Sequence, residues 1–63
     1  MTIGQNIKKF REAKNLTQMQ LAEKVGIARP AITQFERGSR VPNMPIGEAI
    51  AKALDCTIND LIR

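Results

Sequence analysis

Residues 18–40 read QMQLAEKVGIARPAITQFERGSR, and this stretch decides the fold. Thr17 stands before it, with Gln20 three positions on. That spacing is a capping box: the threonine oxygen takes the amide of Gln20, and the glutamine side chain takes the amide of Thr17. A helix is therefore expected over 18–25, with Leu21, Ala22 and Val25 as its apolar face. Gly26 stops it, because glycine accepts the left-handed backbone that closes a helix. A second short helix is expected over 29–36. Pro30 is tolerated in its first turn, where a missing N–H costs little. Ile32 and Phe35 point inward at a spacing of three, and Gly38 ends it. Only Gly26-Ile27-Ala28 joins the two. Ala22 is small enough for close approach, Gly26 supplies the reversal, and Ile27 and Ile32 are expected to bury against the first helix of the chain and lock the crossing angle. Arg29, Thr33 and Gln34 are then left facing solvent.

Outward from this pair the chain reads as helix on both sides. Ile3, Ile7, Phe10 and Ala13 recur at helical spacing and predict a helix over 3–14. Thr2 is placed to cap its start and Asn15 to take a left-handed position at its end. Residues 37–43 form a loop. Asn43 caps a fourth helix with Pro45 in its first turn and Ile46, Ala49, Ile50, Ala53 and Leu54 as its buried stripe. Thr57 and Asp60 repeat the capping pattern and open a last short helix with Ile58, Leu61 and Ile62 apolar. The fold class is all-α, five helices in a single domain spanning 1–63.

Composition narrows the function. The chain has 63 residues, one cysteine and no histidine. One thiol cannot staple a monomer, so the fold closes on apolar packing, as suits a reducing cytosol. There is no signal-peptide pattern and no apolar run long enough to span a membrane. The net charge of +4 favours polyanionic partners. Aromatic residues make up 3%, which argues against base-stacking platforms for single strands. No Cys–His pair, metal-ligand cluster or phosphate-cradling glycine loop is present, so neither an enzyme nor a cofactor or metal site is expected. Cys56 reads as a small core residue.

Two short helices joined by a glycine-containing turn of three residues form the helix-turn-helix signature. Residues 18–40, followed by Val41-Pro42, resemble the Cro and phage-repressor type of helix-turn-helix, the xenobiotic-response-element family. Its pattern is L-T-Q-x-x-L-A-x-x-x-G-(I/V)-S-x-x-x-I-S-x-(W/I/F)-E-x-G-x-R-x-P, and the likeness extends over nearly the whole chain. The resemblance implies a five-helix lambda-repressor-like domain, a homodimer on operator-like double-stranded DNA, and the third helix in the major groove. It also implies a role for Gln18 on a phosphate and as a brace for Arg29, and a structural salt bridge between Arg11 and Glu36. Departures from the pattern are Ala28 in place of a capping Ser or Thr, Pro30 at a base-reading position, Gly47 inside the fourth helix, and Asp55 in place of a glycine.

On that fold, each polar residue has an expected task. Arg29 is the leading base reader, since arginine pairs in bidentate fashion with guanine O6 and N7. Gln34 can read adenine, and Thr33 and Pro30 can meet a thymine methyl. Gln18, Arg37, Ser39, Arg40 and Asn43 are placed to hold the DNA backbone, with Lys9 and its neighbour Lys8 reaching the flank. Leu54, Ile58, Leu61 and Ile62 are the dimer-interface candidates, some of which must be core. The expected role is a repressor of transcription in the cytoplasm, on the nucleoid, with no membrane partner and no small-molecule ligand. The alternative is an antitoxin-type or coactivator-type protein of the same fold, whose main partner is another protein.

Overall fold

The computed structural model describes residues 2–63 and consists there of five helices and no strand. They are α1 (Ile3–Ala13), α2 (Gln18–Val25), α3 (Arg29–Arg37), α4 (Met44–Ala53) and α5 (Ile58–Ile62). Local sequence sets most of the boundaries. Thr17 Oγ1 accepts from the Gln20 amide at 3.0 Å, and Gln20 Oε1 accepts from the Thr17 amide at 2.8 Å. The same reciprocal pair forms at Thr2 with Gln5 and at Thr57 with Asp60. Asn43 Oδ1 accepts from the Ile46 amide at 3.0 Å and starts α4. Gly26 and Gly38 close α2 and α3 with φ of 85° and 89°. Asn15 and Asp55 take positive φ at the turns after α1 and α4, the strained backbone that Asn and Asp tolerate best among residues with a side chain.

α3 alone lacks a side-chain cap, because Ala28 stands at its N-cap with extended backbone already in place (φ −74°, ψ 146°). Ala28→Ser needs only to supply the missing oxygen, and should stabilise the domain by about 1 kcal/mol. Thermal unfolding checks this: Tm should rise by roughly 4–8 °C for a domain of this size.

The core is Ile7, Leu21, Ala22, Ile32, Phe35, Ile50, Ala51, Leu54 and Leu61, all buried. α3 lies against α1 and α2, while α4 and α5 close the other side. One face differs in part from its sequence pattern. On α1 the expected stripe holds at Ile7, which is buried, and at Ile3 and Phe10, which pack in part against the core, but Ala13 is exposed and Gly4, Asn6 and Arg11 turn inward beside Ile7. Gly4 permits this. A Cβ there would stand 2.1 Å from the carbonyl oxygen of Phe35, so α1 rests directly on the backbone of α3. Gly47 has a parallel reason. It is buried in α4, where a Cβ would lie 2.9 Å from Ile58 Cδ1, so the glycine makes room for α5. Ile27 is half-buried rather than buried.

Asn6 was not singled out by pattern, yet it is 5% exposed and ties the chain's two ends together. Its Nδ2 donates to the carbonyl of Leu61 at 2.7 Å and to that of Arg63 at 3.2 Å, which satisfies carbonyls left over at the end of α5.

Among the four interface candidates, Leu54 and Leu61 are core residues and are withdrawn from that role. Ile58 packs against the core in part, and Ile62 is exposed.

Candidate nucleic-acid interface

Burial of Ile32 and Phe35 orients α3, and what remains outward is a polar face. Arg29, Pro30, Thr33, Gln34 and Arg37 line one shallow, open surface along it. A second groove adjoins this surface and is lined by Lys8, Arg11, Gln18, Thr33, Glu36 and Arg37. Thr33 and Arg37 belong to both, so the start of α2, one flank of α1 and the outer face of α3 form one continuous polar region. Lys9 lines a separate groove with Asn6, Phe10, Asp60 and Arg63, so the flanking α1 cation of this region is Lys8 rather than Lys9.

The carboxylate in the region is spoken for. Arg11 Nε donates to Glu36 Oε2 at 2.6 Å and its Nη2 to Glu36 Oε1 at 3.1 Å, a bidentate pair joining α1 to α3. The two side chains are 10% and 5% exposed. Arg11 Nη1 also donates to the carbonyl of Leu16 at 2.7 Å. The hydrogen bond that Arg11 donates to Glu36 holds the guanidinium pKa above its ordinary value, against the opposing effect of burial. Glu36 therefore does not offset the charge of Arg29, Arg37 and Lys8 on the outer face.

Gln18 extends this network. Its Nε2 donates to Glu36 Oε1 at 3.1 Å, and its Oε1 accepts from Thr33 Oγ1 at 2.9 Å. The brace implied for Arg29 thus falls one helical turn later, on Thr33, because the start of α2 sits over the second turn of α3. Arg29 and Pro30 are exposed, and the Arg29 side chain has no hydrogen-bond partner among the described residues. Pro30 lies within the first turn, where an N–H would have no acceptor in the helix, so its missing donor costs little.

The loop after α3 folds back on Gln34. The amides of Gly38, Ser39 and Arg40 all donate to the Gln34 carbonyl, at 3.0, 3.0 and 3.3 Å. The Arg40 guanidinium lies 5.3 Å from the centre of the Phe35 ring, and its Nη1 donates to Gln34 Oε1 at 3.3 Å. Pattern reading placed Arg40 in the loop but gave no sign of this tie, which depends on the reversal at Gly38. Ser39 and Asn43 are exposed beside it, with the Asn43 oxygen engaged as the α4 cap. Cys56 is half-buried; burial, with Asp60 and Asp55 nearby, pushes its thiol pKa up and away from reactivity.

A helix-turn-helix family model matches residues 7–61. Among curated relatives, the chain is 42% identical over 60 residues to an uncharacterised HTH-type transcriptional regulator, YqaE, of Bacillus subtilis, covering 95% of this chain and 52% of that protein. It is 39% identical over 62 residues to the immunity repressor protein of Bacillus phage phi105, covering 98% of this chain and 43% of that one. The chain thus spans about half the length of these relatives. Two solved structures superpose closely. The P22 c2 repressor in complex with a synthetic operator gives a TM-score of 0.95 at 32% identity, covering 100% of this chain and 96% of that one. SinR, described as the master regulator for biofilm formation, in complex with DNA gives 0.90 at 33% identity, covering 95% and 97%. With its five helices, its turn at Gly26 and its outward α3, the chain belongs to the helix-turn-helix family of Cro and phage-repressor type.

Proposed function

We propose that this chain binds double-stranded DNA in a sequence-specific way, with α3 in the major groove, and regulates transcription as a repressor. The observation that carries the reading is the outer face of α3. It presents Arg29, Pro30, Thr33, Gln34 and Arg37 together, while the carboxylate of the same helix is held by Arg11. An α-helix fits the major groove, and arginine there finds the O6 and N7 acceptors of guanine. Thr33, its hydroxyl held by Gln18, has its methyl left to meet a thymine methyl. The similar P22 c2 repressor and SinR structures contain DNA, which supports the same use of this face.

The start of α2, with Gln18 beside Lys8 and Arg37, forms the backbone grip on one side. A helix N-terminus with free amides is a favourable seat for a phosphate. Ser39, Arg40 and Asn43 form the grip on the other. Two such domains on a pseudo-palindrome place their recognition helices about 34 Å apart, one turn of DNA. Ile62, the exposed one of the four interface candidates, is the residue proposed to meet the partner in that arrangement. Occupancy of an operator then blocks polymerase by position. The proposed place of action is the cytoplasm, on the nucleoid; no helix among the described residues is long and apolar enough to cross a membrane.

Arg29→Ala tests the reading at its leading residue. Binding to a duplex carrying the preferred site should weaken by about 1–3 kcal/mol, with the base preference relaxed at one position per half-site. Fluorescence titration on matched and mismatched duplexes reads both. An equal loss on every duplex would make Arg29 a phosphate contact instead.

A further inference from the structure

Arg40 sits outside the recognition helix, where a basic loop residue would ordinarily serve as one more phosphate contact. Its geometry is more specific than that. The chain reverses at Gly38, and three successive amides close on the Gln34 carbonyl, so the loop backbone is held to the same residue that the Arg40 side chain reaches. The guanidinium rests over Phe35, a buried core ring that cannot move freely. From that seat Nη1 donates to Gln34 Oε1. Gln34 Nε2 has no partner among the described residues.

We propose that Arg40 is a positioning residue for base recognition: by holding the Gln34 amide oxygen, it presents the Gln34 Nε2 group to the major groove as a donor. This rests on the proposed reading of α3 as the groove-facing helix. The consequence is chemical. A free glutamine pairs with adenine by accepting from N6 and donating to N7, and so needs its oxygen turned to the base. A glutamine whose oxygen is held by a cation offers two N–H donors instead. The base edge that answers two donors is guanine, with O6 and N7 both accepting. Cytosine, which shows a donor at N4, is disfavoured. Arg40 thereby selects a base that it does not touch. Because guanidinium carries several N–H groups in a fixed fork, a further one remains for a phosphate, which would tie the backbone grip to the orientation of Gln34.

The test is selection of sites from random duplexes by the wild-type chain, Gln34→Ala and Arg40→Ala, with thermal unfolding of each to confirm folding. Gln34→Ala flattens the profile at one position and so identifies the base that Gln34 reads. At that position the wild type should favour guanine over adenine by about fivefold or more. Arg40→Ala should remove that ratio or turn it toward adenine, and leave the positions read by other residues unchanged. Loss of loop order alone would lower affinity on all sites and leave the profile as it was. Adenine favoured over guanine in the wild type, or an unchanged profile in Arg40→Ala with a shallower salt dependence, would overturn the proposal and return Arg40 to the phosphates. A wild-type chain that enriches no sequence would instead overturn the groove-reading function on which the proposal rests.

Discussion

Glu36→Ala should destabilise the domain by about 3–5 kcal/mol, because it leaves the Arg11 guanidinium buried without its counter-charge. Arg11 is 8% exposed, so water cannot replace the lost carboxylate without opening α1 from α3. A domain below about 70 residues rarely holds more than ~3–5 kcal/mol in total, so the variant should be largely unfolded at 25 °C. Circular dichroism in a urea titration reads this directly. The geometry also says which replacements should be gentle. Glu36→Gln keeps an oxygen for Arg11 and should cost less. Replacing both partners with apolar residues of similar volume, Arg11→Met with Glu36→Leu, removes the stranded charge and should recover most of the loss. The rescued protein should still bind DNA less well than wild type. Gln18 donates to Glu36 and accepts from Thr33, so removing the carboxylate loosens the side chain that orients Thr33.

Gly4→Ala should also destabilise, by about 2–3 kcal/mol, through forced overpacking. Helix propensity argues for the opposite sign, since alanine in place of a helical glycine is worth up to about 1 kcal/mol. Sterics win here because of what the new methyl meets. The Cβ would lie 2.1 Å from Phe35 O and 3.1 Å from Glu36 O, both backbone atoms that cannot swing aside as a side chain would. Relief requires α1 to move off α3, which stretches the Arg11–Glu36 pair that joins the same two helices. Gly4→Ala and Glu36→Ala act on one interface, so their effects should not add. A urea midpoint that rises in Gly4→Ala would contradict the close approach of α1 to α3.

These two residues show where the sequence could be read and where it could not. Helix boundaries were legible because their causes are local. The capping box at Thr17 and Gln20, the cap at Asn43 and the stops at Gly26 and Gly38 each act within four or five residues. α3 runs to Arg37, one residue beyond its expected end, and α1 stops one residue short of its own. The outward set Arg29, Thr33 and Gln34 was legible too, since it follows from the inward pair Ile32 and Phe35. The Arg11–Glu36 pair lies 25 residues apart, and only the family resemblance pointed to it. Gly47 stands out in the sequence as a departure inside a helix and Gly4 gives no signal at all, because the side chain and backbone they make room for belong to other helices. The inward turn of Asn6 and Arg11 on α1 is hidden from the sequence for the same reason. Asn6 and Arg11 look like solvent residues until their partners, the carbonyls at the chain's end and Glu36, are in place. The tie between Arg40 and Gln34 depends on how tightly the chain reverses at Gly38, which spacing alone does not reveal.

The central claim, that α3 reads bases in the major groove, meets its most direct test in selection from a random duplex library at about 150 mM salt, where nonspecific attraction is weakened. The account predicts an enriched inverted repeat with half-site centres about one helical turn apart. Weak binding that falls steeply with salt and enriches no sequence would contradict it, and would leave the outer face of α3 to a protein partner.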